Sequence, residues 1–268
     1  MDLIEGLGMY HRKIYVCLPD NVMVTQLIYF HGTPGDVKNM TEKLWESLEQ
    51  ACGKADMGLV MLEVEDWNRD MSPWRAERLF TKGDDFAGQG EEYLMDLCHQ
   101  VIPKLESRYV GRILAERRII GGYSMGGLFA LYAMMESPVF TDMISVSGSL
   151  WYDGIIDYVK EKVSGAMEIT RSQNRYAQGH RIFDLPVSAY FSLGQREPKV
   201  RNARMKRVWK QTAAICDMME EWGIPVYFQW NQGNHFQDEL ARIERGIRFM
   251  TDRKRGLENE HRDITGGR

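Results

Sequence analysis

The residues most able to carry chemistry in this sequence surround a serine. Ser124 is the centre of a Gly-x-Ser-x-Gly pattern formed with Gly122 and Gly126, and the pattern joins an apolar run to an amphipathic helical stretch. Such a turn between a strand and a helix exposes the serine hydroxyl, and its glycines allow close backbone approach. The five-residue pattern also occurs by chance in ordinary glycine-rich turns. Because strand, turn and helix all fit here, we predict that Ser124 is a nucleophile.

A serine hydroxyl needs a base within hydrogen-bond reach, and histidine has a suitable pKa for that role. Of the six histidines, His235 follows the apolar run PVYFQW in the turn NQGNH, before the final helical pattern. In proteins with this type of serine turn the base follows the serine and the acid in the chain. His235 is therefore the predicted base. The other histidines precede the serine or lie in terminal, helical or polar loop segments, namely His11, His31, His99, His180 and His261.

The third member should be a carboxylate that orients the imidazole. Glu197 lies in SLGQREPK, just after the strand that precedes the histidine strand. It is the predicted acid, although a surface carboxylate paired with Arg196 or Lys199 would look the same. Four other carboxylates are less well placed, namely Asp184, Glu220, Glu221 and Asp238.

Two backbone N–H groups are predicted to form an oxyanion hole. The Met125 N–H opens the helix after Ser124, and the Thr33 N–H follows an early strand in LIYFHGTPGD. Donors at these places stabilise the charge that develops during acyl transfer. An ordinary Gly- and Pro-rich turn around Thr33 remains the alternative. No HExxH motif or clustered His/Asp set is present, so neither a metal nor another cofactor is expected.

Three further residues are candidates for substrate binding. Trp151 follows the strand after the serine helix and would form an aromatic wall, with simple packing as the alternative. Arg69 and Trp74 belong to a long segment, 66–90, that has no regular periodicity. They would cover the site as a lid in which Arg69 binds a carboxylate, with a solvated arginine as the alternative.

Short apolar runs alternate with longer helical patterns, which predicts an α/β fold with a mostly parallel sheet and helices on both faces. The expected strands are 14–18, 26–30, 58–64, 118–123, 143–146, 187–193 and 226–230, and the expected helices are 40–51, 91–109, 125–136, 201–221 and 236–250. Pro103 should kink the second helix or mark its last turns. We expect one domain over residues 1–250 and a charged, disordered tail over 251–268.

Composition limits the function classes. The chain has 268 residues, 44% of them hydrophobic, and 34 Lys and Arg against 38 Asp and Glu, which gives a net charge of −4. This balance lacks the basic surface that nucleic acid requires. No apolar run is long enough to span a membrane or resembles a signal peptide, so a cytoplasmic location is expected. The four cysteines are scattered and are expected to be reduced.

The chain resembles the "Putative esterase" (esterase D-like) family of α/β hydrolases, which includes enterobactin-type siderophore esterases and feruloyl esterases. The resemblance covers residues 15–250, in YFHGTPG, DWNRDMSPW, VIPKLESRY, GGYSMGGLFALYA, SVSGSLWY, SLGQREPK and GNHF. It implies the α/β-hydrolase fold and a triad of Ser124, Glu197 and His235. The residue after Gly194 is often acidic in similar sequences and here is Gln195, which is a departure at the acid position.

The predicted function is hydrolysis of a carboxylic ester through an acyl-enzyme, with a small-molecule substrate. Siderophore lactones and acyl or feruloyl sugar esters are the candidate substrates. An acyltransferase would use the same nucleophile, and a binding protein that has lost catalysis would keep the same fold. The sequence does not predict the oligomeric state.

Overall fold

A mixed sheet forms the centre of the protein. The computed structural model describes residues 1–9, 12–33, 35–52, 56–172 and 188–252. Within them lies an eight-stranded sheet. Its strands are β1 (Asp2–Ile4), β2 (Ile14–Cys17), β3 (Val24–Gly32), β4 (Met57–Glu63), β5 (Ile113–Tyr123), β6 (Asp142–Val146), β7 (Ser188–Gly194) and β8 (Val226–Asn231).

The strand order brings the predicted site residues to one edge of the sheet. The order is β1-β2-β4-β3-β5-β6-β7-β8. The pairs β1–β2 and β2–β4 are antiparallel, and the strands from β4 to β8 in that order are parallel. Ser124 follows β5, Glu197 follows β7 and His235 follows β8. Their loops therefore meet where the parallel strands end, which is where open α/β sheets bind ligands.

Helices cover both faces of this sheet, as predicted. They are α1 (Val37–Cys52), α2 (Trp67–Asp70), α3 (Gly90–Asp96), α4 (Ile102–Arg108), α5 (Met125–Glu136), α6 (Ile155–Ser172), α7 (Val208–Glu221) and α8 (Glu239–Asp252). On one face α1 and α8 pack over a core that includes Phe30 and Ile144. On the other face a larger core includes Phe129 and Ile215. The α/β class is thus confirmed.

Every predicted strand is present with ends shifted by a few residues, but several details differ. β1, α2 and α6 were not predicted. The predicted amphipathic character of α5 is wrong, because every residue from Met125 to Met135 is buried between the sheet and other helices. The last helix begins at Glu239 rather than at residue 236, since Asp238 has a φ of 55° and cannot continue a right-handed helix. It ends at Asp252, and residues 253–268 of the predicted tail lie outside the described residues.

The predicted helix 201–221 begins later than expected. Its regular part starts at Val208, after a 3-10 turn at Met205–Arg207. The side chain of Asn202 accepts hydrogen bonds from the N–H groups of Arg204 and Met205, at 2.9 and 3.1 Å. These bonds supply partners to backbone donors at the start of the 3-10 turn.

Pro103 lies next to a π-helical turn. Between α3 and α4 the residues Leu97–Val101 form this turn, and the N–H of Ile102 donates to the carbonyl of Leu97. Proline has no N–H to donate and crowds the preceding turn of a helix. The wider turn relieves this conflict without breaking the helix, which continues through α4 to Arg108.

The segment 66–90 is an ordered loop with little regular secondary structure. It contains α2, which is capped by Asp66 through a 3.0 Å bond from the Arg69 N–H. Ala76 and Phe86 exchange backbone hydrogen bonds of 3.2 and 2.9 Å. The Ser72 carbonyl accepts from the N–H of Gly90 at 2.9 Å, so the loop closes on itself before α3 begins.

Candidate active site

The turn between β5 and α5 holds Ser124 in an unusual backbone conformation. Its φ is 56° and its ψ is −119°, values that a residue with a side chain rarely adopts. Such strain persists only where the surrounding structure enforces it, and it is common at functional turns. A Cβ at position 122 would overlap the backbone of Gly126, so glycine is required there. The structure therefore has the geometry of the turn that the Gly-x-Ser-x-Gly pattern predicts.

The three predicted triad residues form one continuous chain of hydrogen bonds. The Nε2 atom of His235 lies 3.0 Å from the Oγ atom of Ser124. The Nδ1 atom of the same ring lies 2.8 Å from the Oε2 atom of Glu197. In a neutral imidazole one nitrogen donates and the other accepts. Since a carboxylate can only accept, Nδ1–H donates to Glu197 and Nε2 accepts from the Ser124 hydroxyl.

Glu197 is buried, with 5% of its surface exposed, in a 3-10 turn after β7. Burial acts to raise the pKa of Glu197, whereas the hydrogen bond from His235 and the positive charge that this ring carries when protonated act to lower it. The N–H of Gly194 and the hydroxyl of Ser147 donate to Oε1 at 2.6 and 2.8 Å. The pKa of this carboxyl therefore lies below its usual range. The carboxylate faces the imidazole and not Arg196 or Lys199.

The turn that carries His235 is fastened to the serine turn. The hydroxyl of Tyr123, next to Ser124, donates to the carbonyl oxygen of His235. The rings of Tyr123 and His235 lie 5.3 Å apart between centroids. On the solvent side the ring of Phe236, which is 83% exposed, stands edge-on to the imidazole at 5.0 Å. Tyr123 thus fixes the position of the histidine turn, and Phe236 places an exposed aromatic ring beside the imidazole.

Ser149 is a close neighbour of the serine hydroxyl that the sequence analysis did not single out. Its Oγ atom lies 3.2 Å from the Ser124 Oγ, and its N–H donates to the Ser124 carbonyl at 2.9 Å. Because the Ser124 proton points to His235, the Ser149 hydroxyl is the donor in this contact. Ser149 lies in the motif SVSGSLWY, which in the sequence indicated only the family resemblance.

The two predicted oxyanion donors lie at the same sheet edge. Met125 opens α5, and the first N–H groups of a helix have no partner within it. Phe30 of β3 pairs with Gly121 of the parallel strand β5. Thr33 and Ser124 each follow three residues later, so they lie at the same level of the sheet. Thr33 is exposed. A Cβ at position 126 would come within 3.2 Å of the Trp67 ring, which places this indole beside the serine turn.

The predicted substrate-binding residues are engaged in contacts within the protein. Trp151 is buried, lies 6.1 Å from the ring of Phe86, and carries the Arg204 guanidinium 5.7 Å above its centroid. The Arg69 guanidinium binds the buried carboxylate of Asp70 at 2.7 and 3.1 Å.

Trp74, in the same loop, contacts the segment that follows Trp151. Its indole N–H donates to the Asp153 carbonyl at 2.8 Å, and its ring packs against Tyr152 and Tyr158. Substrate contact by Trp151, Arg69 and Trp74 stays a prediction, and the aromatic rings that the structure places beside the serine turn and the imidazole are those of Trp67 and Phe236.

The competing residues lie away from this hydrogen-bonded chain or outside the described residues. His31 is fully buried against Tyr93 and Phe129, and burial lowers its pKa from 6.5 to about 3. His99 is exposed in the π turn. His11, His180, His261 and Asp184 lie outside the described residues.

Within the described ranges, no group of three His, Cys, Asp or Glu side chains could hold a metal ion. No helix in the described part of the chain is long and apolar enough to cross a membrane.

The sheet, the serine turn and the order serine, carboxylate, histidine define the α/β-hydrolase fold. A family model described as "Putative esterase" matches residues 10–243, and the chain belongs to this family. Membership supports ester hydrolysis as the reaction class predicted from the sequence. A curated relative, "Uncharacterized protein YbbA" of Bacillus subtilis, is 29% identical over 170 residues. That match covers 62% of this chain and 60% of the relative, so it spans less than two thirds of the relative's length.

Solved structures share the fold at low sequence identity. The "Siderophore hydrolase EstA" of Aspergillus nidulans has a TM-score of 0.69 and 18% identity, with 94% of each chain covered. An "IroE-like serine hydrolase" of Shewanella oneidensis has a TM-score of 0.70 and 16% identity, with 94% of this chain and 80% of the other covered. These likenesses confirm the predicted α/β-hydrolase fold.

Proposed function

We propose that this protein hydrolyses a carboxylic ester with Ser124 as nucleophile, His235 as general base and Glu197 as the acid that orients the base. The observation that carries the proposal is the unbroken chain of contacts from Ser124 through His235 to Glu197, at 3.0 and 2.8 Å. These distances are within hydrogen-bond range without any rearrangement.

The first half of the reaction forms an acyl-enzyme. His235 Nε2 removes the Ser124 proton as Oγ bonds to the ester carbonyl carbon, and the carbonyl electrons move to oxygen. The Met125 and Thr33 N–H groups donate to this oxyanion. When the intermediate collapses, the bond to the alcohol oxygen breaks and the imidazolium returns its proton to the leaving alcohol. Glu197 stays ionised and stabilises the imidazolium, in keeping with its lowered pKa.

The second half releases the acid. A water molecule gives a proton to His235 while its oxygen bonds to the acyl carbon. The second intermediate then collapses, the bond to Ser124 Oγ breaks, and the imidazolium returns the proton to the serine. Siderophore lactones are one candidate substrate class, which the similarity to the siderophore hydrolase of Aspergillus nidulans supports. Acyl or feruloyl sugar esters are the other.

Turnover of short p-nitrophenyl esters tests the proposal, with Ser124→Ala as the decisive variant. Ser107→Ala is a matched control, because Ser107 is exposed and its hydroxyl donates to the Lys104 carbonyl of its own helix. We expect Ser124→Ala to lose several orders of magnitude in rate and to lose labelling by a fluorophosphonate, and the control to keep both. Equal turnover by Ser124→Ala would refute the assignment.

Product analysis distinguishes hydrolysis from acyl transfer. With an ester and an added alcohol or sugar acceptor, a hydrolase releases the free acid as the main product. Transfer of most of the acyl group to the acceptor would instead establish the acyltransferase alternative with the same nucleophile. Absence of both fluorophosphonate labelling and turnover would favour a binding protein.

A further inference from the structure

The last helix carries a buried arginine that the triad itself does not include. Arg242 of α8 is 1% exposed and lies next to Ile243, on the side of the helix that packs against the sheet. Burial of a guanidinium is unfavourable unless its N–H groups find partners. The partners of Arg242 therefore indicate why a charged side chain is present in this core.

Those partners are the acid Glu197, the turn that carries the base, and Ser147 after β6, which itself binds Glu197. The Nη1 atom lies 3.1 Å from Ser147 Oγ and 3.4 Å from Glu197 Oε1. The Nη2 atom donates to the carbonyls of Gln232 and Asn234, at 2.6 and 2.8 Å. Asn234 directly precedes His235. A single planar group thus links the Glu197 carboxylate to the turn that holds the imidazole.

The neighbouring backbone is shaped to admit this guanidinium. A Cβ at position 194 would lie 3.0 and 3.1 Å from the two terminal nitrogens of Arg242 and 2.7 Å from the Gly233 carbonyl. Gly194 also donates its N–H to Glu197 Oε1 at 2.6 Å. The absence of a side chain at Gly194 therefore allows the carboxylate, the arginine and the histidine turn to meet.

The two oxygens of Glu197 have separate tasks. Oε2 accepts from His235, and Oε1 accepts from Ser147, from the Gly194 N–H and from Arg242. The bonds to Oε1 fix the rotation of the carboxylate. The bonds from Arg242 to the carbonyls of Gln232 and Asn234 fix the position of the histidine turn relative to that carboxylate. Both are needed to keep Nδ1 within reach of Oε2, because small displacements of catalytic groups reduce rates strongly.

We propose that Arg242 is a positioning residue that sets the geometry of the Glu197–His235 pair by binding the carboxylate and the histidine turn at the same time. This inference rests on the proposed function, in which that pair activates Ser124. Arg242 does not touch the reacting atoms. It acts through Glu197 and through the carbonyls of Gln232 and Asn234.

The test compares Arg242→Lys and Arg242→Met with the wild type. Lysine keeps the charge but cannot span both the carboxylate and the turn, and methionine keeps an unbranched apolar stem without any donor. We expect kcat on p-nitrophenyl esters to fall about 100-fold in Arg242→Met and less in Arg242→Lys, with KM within about twofold. Arg248→Lys is the matched control, because Arg248 is exposed on the same helix and its guanidinium pairs with Glu244.

A second measurement does not depend on turnover. The low-field proton resonance of His235 Nδ1–H reports its bond to Glu197 directly, and His235→Gln identifies the signal. We expect the resonance to weaken or to exchange faster with solvent in both Arg242 variants and to stay unchanged in Arg248→Lys.

Wild-type kcat together with a wild-type resonance in a folded Arg242→Lys would overturn the positioning role. If no ester is turned over by the wild type, the resonance alone decides the role of Arg242, so failure of the esterase proposal is distinguishable from failure of this one. If Arg242→Met does not fold, Arg242→Lys decides by the same readouts.

Discussion

The hydroxyls of Ser124 and Ser149 lie 3.2 Å apart, and the same Ser149 also donates its N–H to the Ser124 carbonyl. Ser149 is buried, with 2% of its surface exposed, so this contact is shielded from water. In the proposed mechanism the Ser149 hydroxyl would support the Ser124 oxygen while the proton passes to His235, because a donor stabilises the charge that develops on that oxygen.

Ser149→Ala should therefore lower kcat/KM for activated esters by about tenfold, equivalent to about 1.4 kcal/mol of transition-state stabilisation. The fold should persist, since only one hydroxyl is removed. Steady-state kinetics checks the change. Ser137→Ala, at the opposite end of α5, provides a control that should keep wild-type rates. Unchanged kcat/KM in Ser149→Ala would contradict a role for this hydroxyl.

Glu197→Gln should lower kcat by about three to four orders of magnitude with little change in KM. The amide keeps the size of the side chain but has no charge to stabilise the imidazolium, and its NH₂ group can stabilise the wrong tautomer. Glu220→Gln, on α7, is the matched control and should stay active. If Glu197→Gln retained more than about a tenth of wild-type kcat, another group would have to be the acid.

His31 should make the protein less stable in mild acid. Burial lowers its folded pKa to about 3, while an unfolded histidine titrates near 6.5. Below about pH 6.5 the unfolded chain binds a proton that the folded chain does not, so stability falls as the pH drops towards 3. The slope from this group is at most about 1.4 kcal/mol per pH unit.

Denaturant titrations of wild type and His31→Phe between pH 8 and pH 4 measure this contribution. Phenylalanine keeps the ring packed against Tyr93 and Phe129 but does not titrate. We expect a shallower loss of stability with falling pH in His31→Phe, and the wild-type slope in the exposed control His99→Gln. Identical slopes for wild type and His31→Phe would show that His31 is not the group responsible.

Gly122→Ala should disrupt the serine turn. The new methyl group would overlap the backbone of Gly126, so β5 and α5 would have to move apart where Ser124 is held. We expect a lower melting temperature and a loss of fluorophosphonate labelling even in the fraction that remains folded. Gly111→Ala is a useful contrast, because its position has open space and only the strain of a φ of 84°. Normal labelling of Gly122→Ala would show that the turn tolerates the methyl group.

Local patterns were sufficient to predict the strands and the helices around the nucleophile turn. The apolar run before Ser124 and the tight glycine spacing report on structure within a few residues. α6 was missed although Ile155, Val159 and Val163 repeat at helical spacing and are buried, so its signal was present in the sequence. The buried character of α5 was also present in its own residues, because Met125 to Met135 include no charged side chain and a helix that is apolar on all sides is typically buried.

The support around the triad was beyond the reach of local patterns. Ser147 and Ser149 sit in a short serine-rich motif, and only the path of the chain after β6 shows which hydroxyl meets which partner. Arg242 gives a weak signal as a charge among the apolar residues of α8. Its role depends on contacts with Glu197 and Ser147, which lie 45 and 95 positions away in the sequence.

The π-helical turn at Leu97–Val101 means that the helical segment from Gly90 to Arg108 accommodates more residues per turn there than a regular α-helix would. Removal of one residue from that turn would give regular winding and leave everything after it in nearly the same orientation, because the wider turn already contains one residue more than an α-turn. Glu106 would then still face Tyr29 and Arg118, which it now binds at 2.7 Å each. Insertion of a further residue would instead rotate α4 by about 100° about the helix axis, so insertions and deletions in this helix would not be equivalent.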